Sequence, residues 1–151
     1  MKSNRVRFSS RMHWWFYSIL GVLFFSGVVW LVVHYYFERQ NEFDGQYSSL
    51  QPWLLRIHGA AAMGSLLMLG FLIPRHMQRA WEQQRNLVTA VVIVSLCLAM
   101  IVSGYGLYYC GSETLRSWIS GFHSAAGCLL PLVLVWHIIS GRKQRTRAHS
   151  A

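Results

Sequence analysis

Long uncharged stretches alternate with short polar ones along the chain, and that alternation predicts its elements. Apolar runs occupy roughly residues 14–36, 53–74, 87–109 and 117–140. Each reaches the length of about 20 residues that a helix needs to cross a bilayer core. Three of the runs contain no Asp, Glu, Lys or Arg, and the second holds Arg56 alone. A backbone in hydrocarbon must satisfy its own N–H and C=O groups, so each run is expected to be a helix. The connections are short, at 16, 12 and 7 residues. Consecutive helices are therefore expected as antiparallel neighbours in an all-α transmembrane up-down four-helix bundle, a single domain over residues 1–151. Pro52 is a natural helix start. Pro74 is expected to end or kink the second helix, leaving RHMQRAWEQQRN as a polar connection. The first apolar run is longer than the core of a signal peptide and no A-x-A site closes it, so it reads as a retained helix.

Composition agrees with this pattern. The chain is 54% hydrophobic, 15% aromatic and 13% charged, well away from the balance of a soluble domain. Trp14, Trp15, Tyr35, Tyr36, Trp53, Trp81, Tyr108, Tyr109 and Trp118 fall near the span boundaries, as expected of an aromatic belt at the head groups. No internal repeat stands out. Small residues cluster at Gly59, Ala60, Ala61, Ala62 and Gly64, and again at Gly121, Ser124, Ala125, Ala126 and Gly127. They serve either close helix contact or room for a flat macrocycle.

The net charge of +9 fits a membrane better than a nucleic acid because of where it falls. Eleven of the 14 basic residues lie before the first span, between the second and third, or after the fourth. The positive-inside rule places both termini in the cytoplasm, and the basic tails read as topology signals and contacts to anionic lipid. Nucleic acid is not an expected partner. Three cysteines cannot build a disulfide framework, which also weighs against a quinone-coupled disulfide oxidase. Cys97 and Cys128 read as small packing residues, and Cys110 as unpaired at the outer end of the third span.

Ionisable groups inside spans are functional candidates by default, and here they are histidines. His149 lies in the polar tail. His123 and His137 are 14 positions apart on the fourth helix. That spacing puts them within about 40° of one face and roughly 21 Å apart in depth, although Pro131 between them can bend the helix. His58 enters the second helix at the depth of His123, and both adjoin small-residue clusters. A bis-histidine b haem near the outer face follows, six-coordinate and suited to electron transfer. Arg56 and Arg116 lie near this level, to pair with haem propionates or to snorkel to the interface. His137 needs an inner partner, either His13 at the start of the first helix or His76 just past Pro74. His13 fits the depth better. His34 reads equally as an interfacial histidine or as a group for quinol deprotonation. His76, with Arg75 and Arg79, either lines an inner quinone site or contacts head groups.

These residues resemble the bacterial cytochrome b561 group of two-haem, four-helix membrane cytochromes. The resemblance covers the first, second and fourth helices: His13-Trp14 opening the first, His58 in the outer part of the second, and His123 and His137 on the fourth. It implies His13–His137 and His58–His123 as the ligand pairs of two b haems. It also implies quinone-linked electron transfer in a bacterial inner membrane. The brief loops point to a subunit working with another redox protein, an electron-transfer component of a quinone-linked oxidoreductase. A competing reading is a non-redox membrane anchor or assembly subunit, with histidines as helix-packing hydrogen bonders. A metal or proton transporter ranks last, since the spans hold no acidic residue.

Overall fold

The computed structural model describes residues 10–37, 50–83 and 86–147. Helix α1 runs Ser10–Val32 and passes into a π-helical turn, Val33–Phe37. Helix α2 is Leu50–Gln83, α3 is Leu87–Tyr109 and α4 is Glu113–Arg147. No strand occurs among the described residues. Four stretches, Trp14–Tyr36, Leu50–Pro74, Leu87–Tyr109 and Glu113–Gln144, are long and apolar enough to cross a membrane. The chain is an all-α, multi-pass membrane protein.

Two helices outrun their predicted ends. Helix α2 continues through Pro74 to Gln83, so most of the expected polar connection is helical. Proline in a helix interior removes one hydrogen bond and costs about 3 kcal/mol. The residues that follow, RHMQRAWEQ, are mostly good helix formers that resume the ladder. Helix α4 begins at Glu113, whose carboxylate opposes the positive end of the helix dipole. Ser112 caps it, its hydroxyl accepting from the Leu115 N–H at 3.4 Å and its carbonyl from the Arg116 N–H at 2.9 Å.

The chain divides into two compact units, residues 1–72 and 73–151. In the second unit, α3 and α4 form an antiparallel hairpin. Gly106 receives Ile119, Ser103 faces His123, Gly127 receives Met100, Thr89 faces His137 and Gly141 lies against Asn86. Stepping back along α3 thus steps forward along α4 in a constant register. A Cβ at Gly127 would stand 3.3 Å from Met100 Cε, the flexible end of that side chain, so a larger residue there would press on Met100. In the first unit, α1 and α2 meet where Ile19 lies over Gly64 and where His58 lies over Gly27. The small-residue clusters therefore serve helix contact at Gly64 and Gly127.

Asn86 precedes α3 in the left-handed region, with φ 58° and ψ 25°, a conformation Asn tolerates better than most residues. Its carbonyl accepts from the Ala90 N–H at 3.1 Å, while its side chain leaves the cap and reaches across to α4. Cys97, Cys110 and Cys128 are free thiols.

Buried residues are few and small. Among the described residues they are Val33, Ala90, Ala126, Ser26, Ser65, Thr89 and Ser103. Large apolar side chains such as Leu67, Phe71, Val88 and Leu132 are exposed, which suits a chain whose solvent is lipid. The nine boundary tryptophans and tyrosines named above are all exposed as well.

Gly127→Leu is expected to overpack the α3–α4 contact and destabilise the protein by about 1–3 kcal/mol. Thermal unfolding in detergent measures it, and an unchanged midpoint would show that Met100 yields to the larger residue.

Candidate functional site

An imidazole inside an apolar span has no water to bond, so its ring nitrogens must find partners in protein. Three of the predicted ligands, His58, His123 and His137, are half-buried, and the neighbouring helix of the same unit anchors each one through Nδ1.

His58 of α2 reaches α1. Its Nδ1–H donates to the Leu23 carbonyl at 2.9 Å, with Ser26 Oγ at 3.2 Å beside it. Ser26 itself donates to the Leu23 carbonyl at 3.1 Å. A carbonyl only accepts, so the proton of this imidazole sits on Nδ1. Gly27 allows the ring to approach. A Cβ there would lie 3.0 Å from His58 Cε1 and 3.2 Å from Nδ1.

His123 of α4 meets a serine of α3. Ser103 Oγ lies 2.8 Å from His123 Nδ1 and donates its own proton to the Ala99 carbonyl at 2.7 Å. When the Ser103 proton goes to the Ala99 carbonyl, its oxygen is left to accept from an Nδ1–H of His123, the form a histidine takes when it ligates through Nε2. The neighbouring Gly104 faces the ring, its would-be Cβ 3.5 Å from His123 Cε1.

His137 lies toward the other end of the hairpin. Thr89 Oγ1 stands 2.7 Å from His137 Nδ1 and donates to the Asn86 carbonyl at 3.1 Å. The Asn86 amide donates to the His137 carbonyl at 3.0 Å, with its nitrogen 3.4 Å from Nδ1. The left-handed turn at Asn86 thus tethers the start of α3 to α4. The Leu23 carbonyl places the proton of His58 on Nδ1, while the hydroxyls facing His123 and His137 serve an Nδ1 of either protonation. In metal-bound histidines the second nitrogen commonly donates to a fixed acceptor, which sets the ring and raises its basicity.

The other predicted residues are placed less fully. His13 lies in the first turn of α1 and His76 in the extension of α2, but their side chains fall outside the described residues, as does all of His149. His13 and His58 belong to the first unit, His123 and His137 to the second. Arg56 is exposed, with its guanidinium carbon 4.9 Å from the centre of the Trp53 ring, a cation–π contact. Arg116 is exposed in the first turn of α4. His34 sits in the π-helical turn, its ring stacked on Trp30 at 4.7 Å and edge-on to Tyr35 at 5.2 Å. Such turns are often found at functional sites.

Sequence reasoning missed Ser26, Ser103, Thr89 and Asn86, along with Gly27 and Gly104. The Ser-Gly pair on α1 and α3 is no distinguishing signal, since it occurs twice more on α4, at Ser120-Gly121 and Ser140-Gly141. Compared with family models, curated proteins and solved structures, the chain matches none of them.

Two glycines of α1 give a test with opposite signs. Gly27→Ala must push the His58 ring away and is expected to lower stability. Gly21 has nothing within 4 Å of its would-be Cβ, so Gly21→Ala should gain about 1 kcal/mol of helix propensity. Thermal unfolding of the two variants side by side measures this, and an equal response would sink the close approach at Gly27.

Proposed function

We propose that this chain is a membrane electron-transfer cytochrome b that holds two b haems by bis-histidine ligation. In this reading His58 and His123 ligate the outer haem, and His137 with His13 the inner one. Electrons pass between a quinone/quinol pool and a redox partner protein, with the chain acting as a subunit of a larger quinone-linked oxidoreductase. Its membrane is a bacterial inner membrane, with both termini cytoplasmic, as the distribution of basic residues favours.

One observation carries the reading. Three histidines in apolar spans each engage the adjacent helix through Nδ1, the nitrogen through which a histidine that ligates a metal by Nε2 makes its second bond. A histidine kept only to glue helices could use either nitrogen, whereas a ligand must offer one lone pair in a fixed direction. The donor set also fits the group, since neutral imidazole is a haem ligand and two of them make a six-coordinate iron. When bound, haem supplies a one-electron couple between ferric and ferrous iron. The protein supplies ring orientation, a dry low-dielectric setting and charge near the propionates. Arg56 and Arg116 are the candidates for that last role. The quinone and the inner partner His13 come from the family resemblance.

A second reading draws on the same bonds. They also tie α1 to α2 and α3 to α4, as they would in a non-redox membrane anchor or assembly subunit.

A pyridine haemochrome assay on the purified chain separates the two. Two b haems per chain are expected, with the reduced-minus-oxidised spectrum of low-spin iron. His58→Ala and His123→Ala should each remove the outer haem, and His137→Ala the inner one. A wild-type chain without haem overturns the proposal in favour of the anchor. A count of one removes the inner site, and His13→Ala should then change nothing.

A further inference from the structure

The groups that face the three imidazoles are not equivalent, and the difference carries a further step. His58 donates to a backbone carbonyl, Leu23 at 2.9 Å, with the Ser26 hydroxyl farther away at 3.2 Å. Deleting Ser26 Oγ would leave that carbonyl in place. His123 Nδ1 instead faces a side-chain hydroxyl, Ser103 at 2.8 Å, and His137 Nδ1 faces that of Thr89 at 2.7 Å. A ring that ligates through Nε2 carries its proton on Nδ1, and deleting either oxygen then removes the hydroxyl that faces that proton.

Both hydroxyls sit in a relay. Ser103 donates to the Ala99 carbonyl at 2.7 Å, and Thr89 donates to the Asn86 carbonyl at 3.1 Å. A hydroxyl that donates to a carbonyl is polarised and becomes a better acceptor. It then draws the Nδ1 proton more strongly and leaves more electron density at Nε2. An electron-rich imidazole favours the ferric state over the ferrous state and lowers the potential. Ser103 and Thr89 are both buried, at 7% and 5% exposure, so water does not readily replace a lost oxygen.

We propose that Ser103 and Thr89 are positioning residues that set the potentials of two different haems, Ser103 through His123 and Thr89 through His137, while Ser26 is dispensable for potential. This rests on the cytochrome b reading and deepens it, by naming the atoms that tune each centre. Asn86 supports the inner relay, since its carbonyl receives the Thr89 proton and its amide holds the His137 carbonyl at 3.0 Å.

The test is a redox titration of the haem-loaded full chain in detergent, following the absorbance of the two haems. Ser103→Ala is expected to shift the ferric/ferrous equilibrium of the outer haem about tenfold toward ferrous. That equals about 59 mV upward for one electron, and the inner haem should not move. Thr89→Ala should do the reverse, raising the inner potential alone. Thr89→Ser keeps the hydroxyl and should restore the wild-type value, and Ser26→Ala should leave both potentials where they are. If Ser103→Ala fails to hold its haem, Ser103→Cys, whose sulfur is a weak acceptor, should shift the outer potential in the same direction. Unchanged potentials in the Ser103 and Thr89 variants overturn this inference and leave the cytochrome reading standing. So does a shift of both haems together, or a Ser26→Ala shift as large as that of Ser103→Ala. A wild-type chain that binds no haem overturns the cytochrome reading, and this inference with it.

Discussion

Everything in this structure answers to one constraint: a polar group inside a lipid-facing span must find its partner in protein. The helices meet it for the backbone. The imidazoles of His58, His123 and His137 meet it only by reaching a neighbouring helix. His58 ties α2 to α1, and the other two tie α4 to α3 near opposite ends of their hairpin. Each such bond contributes on the order of 0.6 kcal/mol in a membrane, at most about 1.7. That is modest energy, but it fixes register, because a shift of one residue along either helix would break the bond.

Packing follows from the same constraint. Lipid is as apolar as leucine, so burying large side chains between helices gains little, and close approach must be earned by small ones. Four of the seven buried residues carry a hydroxyl, and three of those four lie against an imidazole. Burial of a hydroxyl and contact with a histidine thus largely coincide here. The glycine that matters most for a ring is Gly27 on the facing helix, where a Cβ would crowd the imidazole of His58, whereas one at Gly104 would meet His123 at an ordinary contact distance.

Each unit sets a serine and a glycine against an imidazole, although His58 bonds chiefly to the Leu23 carbonyl and His123 to the Ser103 hydroxyl. In the first, Ser26-Gly27 of α1 receives His58; in the second, Ser103-Gly104 of α3 receives His123. The device recurs in two hairpins that otherwise share little sequence. A two-residue pattern is too short to register as an internal repeat. Its recurrence is evident only once the hairpins are folded and the serine is seen against the ring.

The amino-acid sequence alone determined the four spans, because crossing a bilayer requires about 20 apolar residues and little else in the chain has that length. It also singled out the histidines, since polar groups in such runs are rare, and it put His123 and His137 on one face, a matter of helical period. It misjudged where α2 ends, because a proline weakens a helix without obliging it to stop when strong helix formers follow. Tertiary structure alone decided what holds each imidazole. A serine or threonine in an apolar helix looks the same whether its hydroxyl only bonds back to its own helix or also faces a histidine. Ser26, Ser103 and Thr89 do both, and which residue each one faces depends on helix register and spacing. Those rest on contacts between helices, such as Gly64 with Ile19 and Gly127 with Met100, which no single segment of the chain contains.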